Sequence, residues 1–516
     1  MPSARRLILV LRDQLNPDAA VLREADPERD AIAMTEAPYG SQRFPEHKQR
    51  LALCFSAMRH FRDARRSDGF SVHYQPADAD DRAEDVADFL RQQIDAHEPE
   101  RVVLTEPGRY GALQRLQAVA DAAGVPLDVQ ADDHFLCTHR RFDAWADGRS
   151  SLTMEYFYRM MRKEHDVLLD ENTDPVGGEW NYDDQNRASF SEAPSDINPP
   201  TRHRPDAITG DVLGLVQTQF ADAPGSLDGF IWPVTPEEAK RDVRDFIEHR
   251  LPTFGTYQDA MWTEKPFLYH SRLSAAINLK LVAPRYVIEQ AEDAYQAGHA
   301  PINAVEGFIR QILGWREFIR GVYWQAMPDY AEKNALDATA DLPDFFWTAD
   351  TEMTCMRQSL GQIVEHGYAH HIQRLMVTGL FGLLYGIDPQ QMNAWHEAMY
   401  VDAWEWVSMP NMIGMSQYAD GGIVGTKPYT ASGNYINKMS NYCSHCAYNY
   451  KASTGEDACP FTTLYWDFLD RHEDRLSGNR RMNFQMANLR RKDDDTRAAI
   501  RERAEIVRER AADGTL

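Results

Sequence analysis

The sequence has no apolar run long enough to cross a bilayer. Its longest, LMVTGLFGLLYGI at 375–387, falls short of the ~20 residues a membrane helix needs and reads as a core helix. A basic excess is also missing. Lys and Arg number 55 against 79 Asp and Glu, a net charge of −24. That balance excludes a protein that coats nucleic acid through bulk charge, but it leaves room for a local basic groove. An export signal is not evident either. MPSARRLILVLRDQ has two arginines, then too few apolar residues for a secretory core and no small-residue cleavage site. A cytoplasmic, reducing setting is expected, and there clustered cysteines favour metal over disulfide. Cysteine itself is scarce, with 6 in the chain. No internal repeat and no low-complexity tract interrupts the pattern.

What is present is ample core material: 516 residues, 43% of them hydrophobic, enough for two or three domains. Residues 1–135 read as an α/β domain with a doubly wound parallel sheet. RLILVL (6–11), RVVLTE (101–106) and PLDVQAD (126–132) are strand-like, with helical stretches at 46–65 and 82–97 between them. A ligand would sit at the strand carboxyl ends, near RDQL (12–15) and TEAPYG (35–40). Residues 136–210 are taken as an interdomain linker, rich in Pro, Gly, Asp and Asn after 167. An all-α domain follows over 211–485, with apolar residues at helical spacing in 236–251, 302–324 and 354–385. The charged end, 486–516, reads as a solvated helical tail.

Cys54 (LALCFSAM) and Cys137 (HFLCTHR) look like small buried hydrophobes. Cys443, Cys446 and Cys459 differ. Their Cys-x2-Cys-x12-Cys spacing in NYCSHCAYNYKASTGEDACPF points sulfurs at one centre. Cys459 precedes Pro460, a step that recurs at iron–sulfur ligands. Spacing alone leaves a [4Fe–4S] cluster and zinc both open. The fourth ligand is open among Cys355, His445 and His366.

KPFLYHSRLSAAINLKLVAPR (265–285) gathers Ser271, Arg272, Ser274 and Asn278 around a helix start, a combination suited to pyrophosphate and equally to a Ser-capped helix. It contains no Gly-x-Gly-x-x-Gly, which disfavours an ordinary dinucleotide fold there. EHGYAHHIQR (365–374) holds His366, His370 and His371. On one helix, His370 and His371 would face about 100° apart, so one can face a pocket while the other orients it. Satisfied core histidines give the same pattern. Trp395, Trp404 and Trp406 cluster within 394–422; each alone is ordinary core packing, and together they allow stepwise electron transfer.

The blocks SRLSAAINLKLVAPR, FIRQILGWREFIRG, GYAHHIQRLM, WVSMPNMIGMSQYADGG and GTKPYTASGNYINKMSNYCSHC follow in an order that resembles the bacterial iron–sulfur (6-4) photolyases, a branch of the photolyase/cryptochrome family. LVLRDQL and HKQRLALCFSAMRHF extend the resemblance across nearly the whole chain. It implies an α/β antenna domain, a long linker, a helical domain holding U-shaped FAD, a [4Fe–4S] cluster and a 6,7-dimethyl-8-ribityllumazine antenna. Cys355, Cys443, Cys446 and Cys459 fall on the family's cluster positions. Tyr269, Ser271, Arg272, Leu273, Ser274, Asn278, Gln311, Trp315 and Asp402 match flavin contacts. His370, His371, Gln311, Met415, Tyr429 and Tyr435 match lesion-facing positions. Trp395 and Trp347 match electron-relay tryptophans. Asp13, Gln14, Glu36, His47 and Lys48 match lumazine contacts.

One departure stands out. Ser408 occupies a position that in the family faces flavin N5 and often carries Asn, or an acid in this branch. The implied activity is light-driven repair of pyrimidine–pyrimidone (6-4) lesions in single- or double-stranded UV-damaged DNA by electron transfer from excited, reduced FAD. His371 would supply the proton and His370 would position it. Lys427 and Lys438 would contact DNA, and the protein would act as a monomer away from membranes. Two alternatives share parts of this pattern: a cryptochrome-type blue-light receptor with the same cofactors, and a light-independent iron–sulfur module that binds nucleic acid.

Overall fold

Five short strands make the first domain of the computed structural model, which describes residues 5–40 and 42–516. They are β1 (Arg6–Leu9), β2 (Asp30–Thr35), β3 (Ser71–Gln75), β4 (Arg101–Thr105) and β5 (Leu127–Gln130), in one sheet of order β3-β2-β1-β4-β5. All pairs are parallel, with Leu7 opposite both Ala31 and Val102. Helices cover both faces, so the central strands are apolar throughout, and Leu7, Ile8, Ile32, Ala33 and Val102 are buried. β2 and β3 add to the strands expected from sequence. The strand order reverses between β1 and β4. The crevice beyond their carboxyl ends is the natural ligand site of such a sheet.

The segment 136–210 is more structured than a linker. His139–Ala146 and Met154–His165 are helices. Their Phe142, Trp145 and Phe157 surround Phe318 at ring separations of 5.8 to 6.1 Å. Gly321 permits this docking, because a Cβ there would lie 2.1 Å from the Phe142 ring. Aromatic anchors, not the Pro/Gly-rich composition further along, decide this part of the segment.

The stretch 354–385 is not one helix. Helix Thr354–His366 stops at Gly367, which adopts φ +61. The chain runs extended through His370 and re-enters a helix at His371–Gln373, continuing through a π turn at Arg374–Thr378. His366 and His370 therefore do not share a helix face, and the expected 100° relation of His370 to His371 gives way to a helix boundary. The tail Asp494–Ala512 is helical, as expected, but not freely solvated. Ile500, Ala504, Val507 and Ala511 form a buried stripe that packs along helix Pro460–Arg471. The spacing i, i+4, i+7, i+11 was masked by the surrounding charges. Among the described residues no helix is long and apolar enough to cross a membrane.

Candidate functional site

Asp402 anchors the centre of the helical domain. Its carboxylate takes both arms of Arg374, at 2.9 and 3.1 Å, and the Ser274 hydroxyl at 2.5 Å. Its backbone carbonyl accepts from the Asn278 side chain at 2.9 Å. Burial opposes the charge on Asp402, yet Arg374 and Ser274 outweigh it and hold the pKa below the usual carboxylate range. Leu273 is buried at the start of the short helix Ser274–Asn278, and Ser271 accepts from the Leu273 amide at 3.3 Å. Tyr269 lies in an aromatic group with Tyr257 and Phe190.

Beside them lie two buried arginines with unsatisfied donors. Arg272 Nε and Nη1 and Arg250 Nε and Nη1 have no hydrogen-bond partner. Burial, together with the repulsion of Arg250, lowers the Arg272 pKa to about 10 although Asp242 opposes this. Each keeps one carboxylate in reach, Asp245 at 2.6 Å from Arg250 and Asp242 at 3.9 Å from Arg272, and its remaining donors are free to take an anion. Arg272 also holds φ +58, a strained left-handed conformation that turns the segment at this point.

His370 is buried with neither ring nitrogen bonded. It stacks on His270 at 4.4 Å and 10°. Burial and the neighbouring His270, His371 and Arg374 push its pKa far below the ordinary histidine value. His371 is solvent-accessible at the start of helix His371–Gln373. The enclosing protein and Arg374 lower its pKa to about 4, so it is neutral at pH 7. Met415 is buried in the π turn Pro410–Ser416. Gln311 is exposed and bonds back to Gly307 O at 3.0 Å, while Trp315 is half-buried against Phe318. The phenol pKa values of Tyr429 and Tyr435 are raised, chiefly by burial.

An aromatic path leaves the Asp402–Arg374 pair. Arg374 lies 4.1 Å from the Tyr400 ring centre. Tyr400 meets Trp395 edge-on at 5.7 Å, and Trp395 meets Phe346 at 5.1 Å. Trp347 is next in the chain, half-buried against Phe44 of the α/β domain at 4.9 Å. Ser408 is fully buried, its hydroxyl 3.2 Å from His396 Nδ1.

Four cysteines line one apolar cavity. Cys355 comes from the first turn of helix Thr354–His366, Cys443 and Cys446 from the turn at 442–446, and Cys459 from the cap of helix Pro460–Arg471. Met353, Ile436, Tyr442 and Phe461 are among the residues that share the wall. Burial and the neighbouring thiols push Cys443 up to about 12 and Cys355 well above its ordinary value. His366 lies at the far end of its helix against Phe267, and neither it nor His445 lines the cavity. Among the described residues no three His, Cys, Asp or Glu side chains converge as a single bound ion requires. The sulfurs are instead spread around the hollow.

A second cavity, of about 190 Å³, opens at the sheet's reversal point. Arg12, Asp13, Gly108 and Arg109 form one side, and Asn393, Glu397, Trp404 and Glu405 of the helical domain the other. Of the five antenna positions, Asp13 lines it. Gln14 spends its amide on Thr105 O and Glu106 O, at 2.9 and 3.2 Å. Glu36 is held by Arg59, Tyr74 and the Ala77 amide. His47 bridges the domains, its Nε2 2.9 Å from Val364 O and its amide 2.8 Å from Ala398 O. Lys48 opens helix Lys48–Ser67, its amide bonded to Pro224 O at 2.9 Å.

Residues 8–232 match a family model described as deoxyribodipyrimidine photo-lyase-related protein. Over 501 residues, 97% of this chain and 98% of the other, the protein is 45% identical to a (6-4) photolyase of Agrobacterium fabrum (strain C58). The chain belongs to the (6-4) photolyase family. The photolyase/cryptochrome fold is shared with more distant structures. A bacterial class III photolyase from Agrobacterium tumefaciens superposes with TM-score 0.56 at 17% identity, covering 85% of this chain and 87% of that one. A Synechocystis sp. PCC6803 cryptochrome gives TM-score 0.55 at 12% identity, with 85% and 89% coverage.

Several residues of this photolyase-family site were not singled out from sequence. Arg374 is the one Arg or Lys in HIQRLMVTGLF and leads straight into the apolar LMV, and that placement was the available signal. His270 stands between Tyr269 and Ser271 and carries no motif of its own. His396 follows Trp395, yet only the fold brings it to Ser408. Arg250 is likewise placed by tertiary packing alone.

Proposed function

We propose that the protein is a light-driven (6-4) DNA photolyase that splits pyrimidine–pyrimidone (6-4) photoproducts. The full-length relative at 45% identity, a (6-4) photolyase, carries this reading, and the geometry agrees with it. The orphaned N–H groups of Arg272 and Arg250 suit a pyrophosphate. Ser271, Ser274, Asn278 and Asp402 would hold the rest of an FAD, with Tyr269 and Leu273 against it. Bound there, FAD supplies the electron that light sends into the lesion. Four cysteines with no other donor fit a [4Fe–4S] cluster, which would fasten the C-terminal helices together. The cavity at the sheet's reversal point would take the lumazine antenna, with Asp13 and Arg109 as polar contacts and Trp404 as a wall.

The chain's own residues then act as follows. His371, which is solvent-accessible, would donate its ring N–H to the bound lesion as negative charge develops there, a charge that favours the imidazolium needed for proton transfer. Buried His370 fixes its position. Tyr429 and Tyr435 keep their phenolic protons at neutral pH and donate hydrogen bonds. Met415 offers a soft apolar wall, and Gln311 a polar contact at the mouth. A damaged, poorly stacked base leaves the duplex at least cost, and this favours the lesion over intact DNA. Trp395 and Trp347 would relay electrons toward the flavin site, a role in keeping the cofactor reduced and not in bond cleavage. Lys427 and Lys438 hold the DNA backbone.

Illumination of the reduced protein with an oligonucleotide carrying one (6-4) lesion tests the reading. Restored thymines are expected. If they do not appear, the photolyase reading fails and a photoreceptor of cryptochrome type replaces it.

A further inference from the structure

Against a net charge of −24, the stretch 479–492, NRRMNFQMANLRRK, carries five cations and no acid. Two of the five are engaged nearby. Arg490 pairs with Glu473 at 2.9 Å, and Lys492 covers the Trp466 ring at 4.2 Å. Arg480 and Arg481 are exposed and have no carboxylate partner among the described residues. Arg481 bonds to the Thr426 hydroxyl, and Asn479 donates to Thr426 O at 3.1 Å. The stretch is therefore fastened to the loop that carries Lys427 and Tyr429. Burial and the facing Arg481 lower the Lys427 pKa, and Arg481 also acts on Tyr429. Like charges held together without a carboxylate form a site that a polyanion stabilises.

An exposed aromatic completes the patch. Phe484 is 74% exposed, in the first turn of helix Asn483–Arg490. A lone exposed apolar residue is ordinary. This one is flanked by unpaired arginines next to the candidate lesion pocket, the pairing of cation and π surface that holds unstacked bases.

We propose that Arg480, Arg481 and Phe484 form a second DNA contact beside the lesion pocket. The arginines hold phosphates of the duplex arm, and Phe484 stacks on a base left unpaired when the lesion leaves the helix. The identity of the ligand rests on the photolyase reading.

The test is fluorescence anisotropy in the dark, with full-length, FAD-loaded protein and labelled duplexes with and without one (6-4) lesion, titrated over salt. Arg480→Ala should reduce the slope of log K against log salt by about 1 and weaken both duplexes about fivefold near physiological salt. Phe484→Ala should weaken the lesion duplex about tenfold and leave the intact duplex unchanged. It should also raise the fluorescence of 2-aminopurine placed opposite the lesion. Both side chains are exposed, and an unchanged thermal midpoint shows that the variants fold. Parental affinity and slope in both variants would overturn the proposal while leaving repair by the parent protein untouched. A parent that repairs nothing under light, with Arg480→Ala still lowering the slope, would sink the photolyase reading and keep the platform. Loss of binding to phosphatidylglycerol vesicles in the variants, with DNA binding unchanged, would overturn the assignment to DNA.

Discussion

The Gln373 side-chain amide donates to the Tyr442 hydroxyl at 3.1 Å. The same Gln373 accepts the His370 backbone N–H at 3.2 Å and exchanges hydrogen bonds with Gln362. Tyr442 immediately precedes Cys443, so one buried amide ties the cysteine loop to the backbone of His370, a proposed lesion-pocket residue. Tyr442→Phe should cost about 1 kcal/mol of stability. It should lower the repair yield while the visible absorbance of the proposed cluster stays. Thermal unfolding and repair assays on one preparation check this, and an unaltered yield would remove the link.

Asp402→Asn leaves the Arg374 guanidinium buried without its carboxylate. Breaking such a pair costs about 3–5 kcal/mol. The flavin-to-protein absorbance ratio of the purified variant should fall sharply, with an earlier denaturation midpoint. A variant that retains full flavin would show that Asp402 is not part of the cradle.

Cys446→Ser removes one of four thiols around a hollow with no fifth thiol or imidazole among the described residues. The brown colour expected of the proposed cluster should be lost. Because Cys355 heads the helix that leads to His370, repair should be lost with it. A folded, brown and active variant would contradict this.

His371→Ala should reduce repair by about 10²–10⁴-fold and leave dark binding of the lesion duplex within a few-fold. Equal loss of binding and repair would make His371 a contact and not a proton donor.

Acid should unfold the protein through its histidines. His47 has a folded pKa of about 4, and His134 and His396 of about 3, each lowered first by burial. The unfolded chain binds these protons near pH 6.5 and the folded chain does not. Stability is therefore complete above pH 6.5 and falls steadily toward pH 4. His47, fully buried, contributes on the order of 3 kcal/mol to that change. Thermal midpoints measured across this range should decline on the acid side.

The parallel sheet was legible because β1 and β4 are short, continuous apolar runs between turn signals. β3 escaped because SVHYQ lies at the sheet edge, half polar. Three of the four cavity cysteines were readable as a group from their spacing. The cavity brings in Cys355 from far along the chain, a relation that local pattern cannot carry. Gly367 was visible in the sequence, but the apolar periodicity on either side of it outweighed the break it imposes. The orphaned N–H donors of Arg272 and Arg250 exist only after folding, since an unsatisfied donor is defined by what surrounds it.

The bridge from His47 to Val364 has one more consequence. It grips the far end of the same helix whose first turn holds Cys355 and whose break presents His370. The α/β half, proposed to harvest light, is therefore not an interchangeable module. A chimaera that grafts another α/β domain onto the helical part needs a histidine at that junction to keep this bridge. Without one, the helix that leads to His370 would lose its outer buttress.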